Sequence, residues 1–252
     1  MFQKLINRGN FYYFVDKLPF EINMRPIPKK YISDSLSFAY DMAFMPNGHH
    51  RAHRSGGLEQ RDSKQIFLDA FHGKIGEFGF YDYFTYLKDY ECSKPDLNVY
   101  SIGKWDDGDL EVKDFQRKET KHVAIKTTKY YGNLLLLETK DWNENGIYIP
   151  SINKDDIYKP SRFVLMRIKP LLDVKVIKPF INTNDYELVF DFIMEKDWFY
   201  DIPGFITNDD LQFLIKNDFI LPQGSFLCGR TKMDAENYYV QSVDLRHLPK
   251  IS

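Results

Sequence analysis

An aspartate and a lysine stand at the adjoining ends of two short apolar segments in the middle of the chain. Asp109 begins one segment, and Lys126 lies near the end of the next, which spans residues 122–127. On a strand, residues two apart share a face, so Ala124 and Lys126 point the same way while Ile125 points into the core. Two strands joined by a hairpin lie side by side, and Asp109 can then approach the face that carries Lys126.

A carboxylate beside a lysine, with a second acid nearby, is equipped to hydrolyse a phosphodiester with a magnesium ion. Carboxylate oxygens bind the hard Mg²⁺ cation, and the ammonium group positions a water or stabilises charge on the phosphate. Without further context, Asp-Gly-Asp is also an ordinary turn, and a lysine that ends a strand is usually solvated. The order of the surrounding elements therefore decides how much weight this pair carries.

The spacing of apolar residues predicts helices before this pair and strands after it. Residues 32–45 have helical spacing, and residues 63–90 predict one long helix or two short ones broken near Gly73. A further helix is expected over 207–218, where Thr207 or Asn208 precedes acids in the first turn. Strands are expected over 95–102, 108–112, 122–127, 162–170, 186–194 and 237–245. The run 133–138 fits either a buried strand or the core face of a helix.

This order predicts an α/β or α+β domain built on a mixed, mostly antiparallel sheet. The chain has 252 residues and a net charge of -2, which gives no global attraction to nucleic acid. It has no apolar run long enough to span a membrane, and its first residues lack the features of a secretory signal, so we expect a cytoplasmic protein. Cys92 and Cys228 have no metal-ligand spacing, which argues against a zinc site or a disulfide framework.

Positive charge is concentrated in one segment despite the near-neutral sum. Residues 49–61 contain six basic or histidine side chains and one acid, Glu59; the six are His49, His50, Arg51, His53, Arg54 and Arg61. Such a segment is either a solvated loop or a set of phosphate contacts in which an arginine can also bind guanine. Near the proposed site, Lys129 and a group of other cations either raise the local potential or decorate a hairpin tip; the others are Lys113, Arg117, Lys118 and Lys121.

The ordered elements resemble the αβββ core of the PD-(D/E)XK nucleases, and their organisation is similar to that of Type II restriction endonucleases. In that family an aspartate heads the second strand and a (D/E)-x-K pair lies on the third, so the resemblance assigns the first role to Asp109 and the last to Lys126. The family glutamate on the preceding helix matches Glu77, in Gly-Lys-Ile-Gly-Glu. Pro95-Asp96 supplies a literal PD and competes with Asp109. The resemblance covers about residues 63–140.

The chain departs from the family pattern at the middle acid, because position 124 is alanine. Three explanations are open. Glu138, downstream of Lys126, can return a carboxylate to the same place; the alanine can be an engineered inactivating substitution; or Asp109 and Glu77 can suffice to hold the metal.

The resemblance implies a Type II site-specific deoxyribonuclease of a restriction-modification system. Its cofactor would be Mg²⁺, its partner double-stranded DNA, and its assembly a homodimer. It implies one domain with an N-terminal helical and basic-loop region over 1–62, a catalytic core over 63–140, and strands and a helix for DNA recognition or dimerisation over 141–252. The site residues would be Asp109, Glu77, Glu138 and Lys126, and the DNA contacts would be Arg51, His53, Arg54, Arg61 and Lys129. The alternative is a catalytically silent DNA-binding module of the same fold.

Overall fold

The computed structural model describes residues 2–15, 23–45, 62–98, 110–152, 157–181 and 186–250. Within these residues the chain forms a mixed α/β fold with five α-helices and three sheets. The helices are α1 (Lys29–Phe44), α2 (Ser63–Thr85), α3 (Val174–Ile181), α4 (Tyr186–Met194) and α5 (Asn208–Lys216). Over the ranges described, no helix is long and apolar enough to cross a bilayer.

The strands are short except for those at the centre of the largest sheet. They are β1 (Ile6–Arg8), β2 (Phe11–Tyr13), β3 (Arg25–Pro26), β4 (Tyr90–Cys92), β5 (Leu110–Asp114), β6 (Glu119–Lys129), β7 (Leu134–Glu138), β8 (Arg162–Lys169), β9 (Phe199–Thr207), β10 (Ile220–Leu221), β11 (Phe226–Leu227), β12 (Thr231–Lys232) and β13 (Asn237–Gln241).

The largest sheet has six strands in the order β3-β9-β8-β6-β5-β4 and curls into a half-barrel. Strands β4, β5 and β6 form an antiparallel meander that follows directly after α2 in the chain. Strand β6 is parallel to β8, and β8 is antiparallel to β9. The prediction of a mixed, mostly antiparallel sheet preceded by a helix is therefore confirmed for the fold class.

Both faces of the central sheet are covered, and strand β6 divides its side chains between them. Val123 and Ile125 belong to the core formed with the helices α1 to α4. Ala124 belongs to a second core, which contains Leu134 of β7 and Leu211 of α5. The predicted alternation along this strand is therefore confirmed, with the addition that the face of Ala124 is also covered.

Helix α2 is continuous and lies close against β6. It begins at Asp62, whose side chain accepts a hydrogen bond from the Gln65 amide (2.8 Å), and Gly73 does not interrupt it. A Cβ at Gly76 would lie 1.9 Å from Thr127 Oγ1 of β6. The glycine therefore permits the close approach that sets α2 beside the end of β6.

Several predicted elements are confirmed, and two are wrong. The strands expected around 162–170 and 237–245 are present as β8 and β13, and Thr207 caps α5 with a reciprocal capping box. Residues 186–194 form a helix instead of a strand, because Val189 and Ile193 bury one helical face. The first strand of the meander lies at 90–92, before the predicted 95–102, whose described part has no strand.

The two smaller sheets connect distant parts of the chain. The run 133–138 is resolved as strand β7, which pairs with β13 in the sheet β10-β13-β7. The other sheet has the order β1-β2-β11-β12, in which β2 and β11 are parallel. Residues near both ends of the described chain thus share a sheet.

Candidate active site

A cavity of about 790 Å³ lies between α2, the second half of β6, and β7 with the turn that follows it. Three of the four predicted catalytic residues line it: Glu77 from α2, Lys126 from β6 and Glu138 from β7. Lys129, predicted to contact DNA, lines it as well. Residues as far apart in sequence as Glu77 and Glu138 thus meet around one space.

Helix α2 contributes one polar stripe to the cavity wall. Gln65, Asp69 and His72 lie three or four residues apart, a spacing that places them along one side of the helix. Glu77 follows His72 by five residues and lines the same cavity from farther round the helix. Gln65 Nε2 donates a hydrogen bond to Asp69 Oδ1 at 2.7 Å. The stripe extends the cavity along the helix, well beyond the single glutamate that the sequence pattern indicated.

Glu77 is held in place by a buried lysine on its own helix. Lys74 Nζ lies 2.6 Å from Glu77 Oε2, and the two side chains are only 6% and 12% exposed. The same ammonium donates to the backbone carbonyl of Asp96 at 2.8 Å and lies over the ring of Phe38. The Pro95-Asp96 segment is therefore fastened beside Glu77, while the Asp96 carboxylate accepts hydrogen bonds from the backbone and side-chain amides of Asn98.

Lys126 is partly buried, and the position two residues before it is fully buried. Among the residues that the structure describes, Lys126 has no ion-pair partner. Ala124 is 2% exposed and pairs in register with Phe163 of β8. A carboxylate at 124 would therefore enter apolar surroundings, which disfavours ionisation unless a cation compensates.

Glu138 approaches the cavity from β7, and a further acid follows it. Strand β7 is held by β13, with Glu138 opposite Asn237. Asp141, three residues later in a short 3-10 turn, also lines the cavity, and its Oδ1 is buried with no hydrogen-bond partner in the described ranges. The sequence analysis missed Asp141, although an acid three residues after Glu138 was a visible signal.

The wall of the cavity is rich in carboxylates. Six acids line it with two lysines, Lys126 and Lys129; the acids are Asp69, Glu77, Glu138, Asp141, Asp173 and Asp234. In the described part of the chain, no three His, Cys, Asp or Glu side chains form a ready-made metal cage. Mg²⁺ needs only one or two carboxylates and keeps several waters, so two acids of this wall, such as Glu138 and Asp141, could hold it.

His72 occupies the end of the cavity near Lys129. The pKa of His72 is lowered to about 4, chiefly by burial; the nearby Asp69 carboxylate opposes this shift, and the positive charge of Lys129 adds to it. Its Nε2 atom is buried and has no hydrogen-bond partner among the described residues. His72 is therefore neutral at pH 7 and was not among the sequence-predicted site residues.

Five of the predicted site residues lie outside the described residues: Asp109, Arg51, His53, Arg54 and Arg61. Strand β5 begins at Leu110, the next residue after Asp109, and Leu110 pairs with Val123 of β6. Apart from Lys129, the cations predicted near the site do not line the cavity. Lys113 pairs with Glu91, and Lys121 with Glu119, at the other end of the β5–β6 hairpin.

Comparison of the chain with protein-family models, with curated proteins and with solved structures gave no match. The arrangement of the cavity side chains is therefore the basis for assigning a function.

Proposed function

We propose that this chain is a Mg²⁺-dependent endonuclease that hydrolyses phosphodiester bonds of double-stranded DNA, with a core of the PD-(D/E)XK type. One observation carries the proposal: Glu77, Lys126 and Glu138, chosen from sequence order, line a single cavity. The observed order of α2 followed by the antiparallel β4, β5 and β6 agrees with the αβββ arrangement. A Type II restriction enzyme acting as a homodimer remains the specific form of this proposal.

The acid-rich wall supports the need for a cation. A phosphate that enters a space lined by six carboxylates and two lysines meets net negative charge. A bound Mg²⁺ would offset that repulsion and polarise the phosphate. Glu138 and Asp141 would hold the ion, and the family resemblance assigns Asp109 to the same role.

Lys126 and Glu77 would act through position and charge. The Lys126 ammonium would orient the attacking water or stabilise the negative charge that grows on the phosphate. Glu77 is already engaged by Lys74, so its contribution would be to fix the local geometry or to hold a metal-bound water. Lys129, exposed at the end of β6, would contact a DNA phosphate near the cavity mouth.

The burial of Ala124 favours Glu138 as the relocated middle acid. Position 124 is packed into the second apolar core, whereas Glu138 is only partly buried and faces the cavity. A carboxylate supplied from β7 would share the cavity with Lys126 without entering that core. This chain is then expected to cleave DNA as it stands.

The test is cleavage of a mixed-sequence plasmid across a magnesium titration. Lys126→Ala and Glu138→Gln are each expected to slow cleavage about 100-fold or more, because each removes a group that acts on the reacting phosphate or its metal. Lys121→Ala, on the same strand, and Glu144→Gln, an exposed acid after β7, serve as matched controls that should cleave normally. Full cleavage by Lys126→Ala would refute the proposed site.

The alternative function is a catalytically silent DNA-binding module, and the observation that favours it is the alanine at position 124, where the family pattern has an acid. This alternative predicts salt-dependent binding of duplex DNA with no magnesium-dependent cleavage by any variant, including Ala124→Asp. The alternative would be excluded if the parent chain cleaves DNA and the Glu138→Gln variant binds DNA without cleaving it.

A further inference from the structure

The sheet β1-β2-β11-β12 covers the second core with one face and turns the other outward. Tyr12, Phe14 and Leu227 pack against the second core. Side chains next to them in sequence point the opposite way, because alternate strand residues face opposite sides. We call the outward set the hairpin face; it consists of Ile6, Arg8, Phe11, Tyr13, Phe226 and Lys232.

One row of the hairpin face crosses all four strands. Arg8 pairs in register with Phe11, Phe11 with Phe226, and Phe226 with Lys232. The two phenyl rings stack with centroids 5.6 Å apart and an interplanar angle of 28°. A pair of stacked rings is thus flanked by a guanidinium on one side and an ammonium on the other, across about 14 Å for three strand spacings.

One ring of this row is exposed. Phe11 is 41% exposed, and Ile6, on the same face but outside the row, is 42% exposed, although both are large apolar side chains. The Arg8 guanidinium lies 5.6 Å from the centre of the Tyr13 ring, which orients it over the same face. A ring stack with an exposed outer member can be extended by another flat ring.

The two hairpins of this sheet carry only positive charge. The segments 4–13 and 224–233 contain four cations and no acid, in a chain with 34 cations and 36 acids; the four are Lys4, Arg8, Arg230 and Lys232. Arg230 follows Gly229 in the turn between β11 and β12, where both Cys228 and Gly229 have positive φ. Two acid-free hairpins laid side by side make a local patch that complements a polyanion.

We propose that the hairpin face binds single-stranded nucleic acid. Its cations would contact backbone phosphates, and the Phe11–Phe226 stack would accept an unpaired base. Duplex DNA fits less well, because its bases are stacked on one another and offer no ring face to a side chain. None of the hairpin-face residues lines the cavity, and binding there needs neither a metal nor the proposed cleavage.

The test is fluorescence anisotropy with a labelled mixed-sequence 20-mer, as single-stranded DNA, single-stranded RNA and duplex DNA, in EDTA so that no cleavage occurs. Phe11→Ala with Phe226→Ala is expected to weaken single-strand binding about 10-fold or more, since each stacked base contributes substantially to affinity. Arg8→Gln with Lys232→Gln should weaken binding and reduce its salt dependence. The DNA and RNA arms show which strand the surface prefers.

The control is Tyr86→Ala with Lys88→Gln, an exposed aromatic and a cation at the end of α2. This control should bind as the parent does, and thermal unfolding should show that all variants are folded. Two results would overturn the proposal: no single-strand binding by the folded parent, or equal binding by the Phe11 and Phe226 double variant.

Preferential binding to anionic lipid vesicles, lost in the same variant, would assign the face to a membrane surface instead. If Lys126→Ala loses plasmid cleavage but still binds single strands, the cavity and the hairpin face act independently, and the two proposals are distinct.

Discussion

The cavity beside α2 and the hairpin face place charged side chains in opposite environments. In the cavity, carboxylates predominate and the Lys74–Glu77 pair is almost fully buried. On the hairpin face, the charges are cationic and exposed beside accessible rings. Buried charges act strongly on a nearby reacting group but require partners, whereas exposed cations interact weakly and with many anions. This contrast is why we propose chemistry for the first region and binding for the second.

The largest effect is expected where a new charge enters the buried face of β6. Ala124→Glu should lower the free energy of unfolding by about 3–5 kcal/mol, because the carboxylate would be buried without a partner. Urea unfolding measures the change. Thr120→Glu, on an exposed position of the same strand, should change stability by less than about 0.5 kcal/mol. Similar losses in both variants would show that position 124 is not specially apolar.

A pH dependence should distinguish the buried histidine of the cavity from an exposed one. The pKa of His72 is about 4 in the folded chain and about 6.5 when unfolded, so the unfolded chain binds more protons between these values. His72 therefore contributes stability above pH 6.5 that is lost as pH falls to 4, up to about 3 kcal/mol. The free energy of unfolding of His72→Gln, measured between pH 4 and 6.5, should lack this loss of stability at the acid end.

The histidine control is His247→Gln, which changes an exposed histidine and should retain the parent's pH dependence. An unchanged pH profile in His72→Gln would mean that His72 titrates normally in the folded protein.

Two glycines of α2 test how closely this helix must pack against β6, and we expect their substitution to change stability less than a charge at position 124. Gly76→Ala should destabilise by about 1–3 kcal/mol, because its Cβ would collide with Thr127 and push α2 away from β6. Gly73→Ala meets no atom within 4 Å and should stabilise the helix by up to about 1 kcal/mol. Thermal melting and cleavage rate should separate the two variants. Equal melting temperatures and equal cleavage rates for the two variants would show that α2 can shift away from β6 without loss of stability or activity.

The smallest change in stability is expected from a substitution on the hairpin face. Phe11→Ala should change stability by no more than about 0.5 kcal/mol, because an exposed ring loses little burial. Phe14→Ala, which removes a side chain packed against the second core, should cost more than about 1 kcal/mol. Chemical denaturation of both variants would test whether the face contributes to binding more than to folding. A large loss from Phe11→Ala would assign the ring a structural role.

Much of the fold follows from periodicity, and the failures have physical causes. Helix α2 and the strands β6 and β8 were predictable because their apolar residues recur with the right spacing over long segments. Helix α4 was not, because its Val, Phe and Ile residues favour strands while only the burial of Val189 and Ile193 shows the helical period. Local preference was overridden by packing against the first core.

The candidate site was predictable only in part. Glu77 and Lys126 could be chosen from the order of elements, but the covering of the sheet by β7 and β13 depends on a pairing of distant segments. That pairing is what brings Asp141 to the cavity and buries Ala124. Likewise, the row from Arg8 to Lys232 exists only because β2 pairs with β11, and no local pattern announces such a contact.

The pairing of β7 with β13 also bears on the order in which the protein is completed during synthesis. Glu138 lies on a strand whose partner spans Asn237–Gln241, and the hairpin face needs β11, which begins at Phe226. A nascent chain that has not yet emerged past these residues has α2 and β6 but lacks the partner strands of both surfaces. Each surface is therefore assembled only after β11 and β13 have been synthesised, so shorter nascent chains would neither cut nor bind nucleic acid in the ways proposed for the full chain.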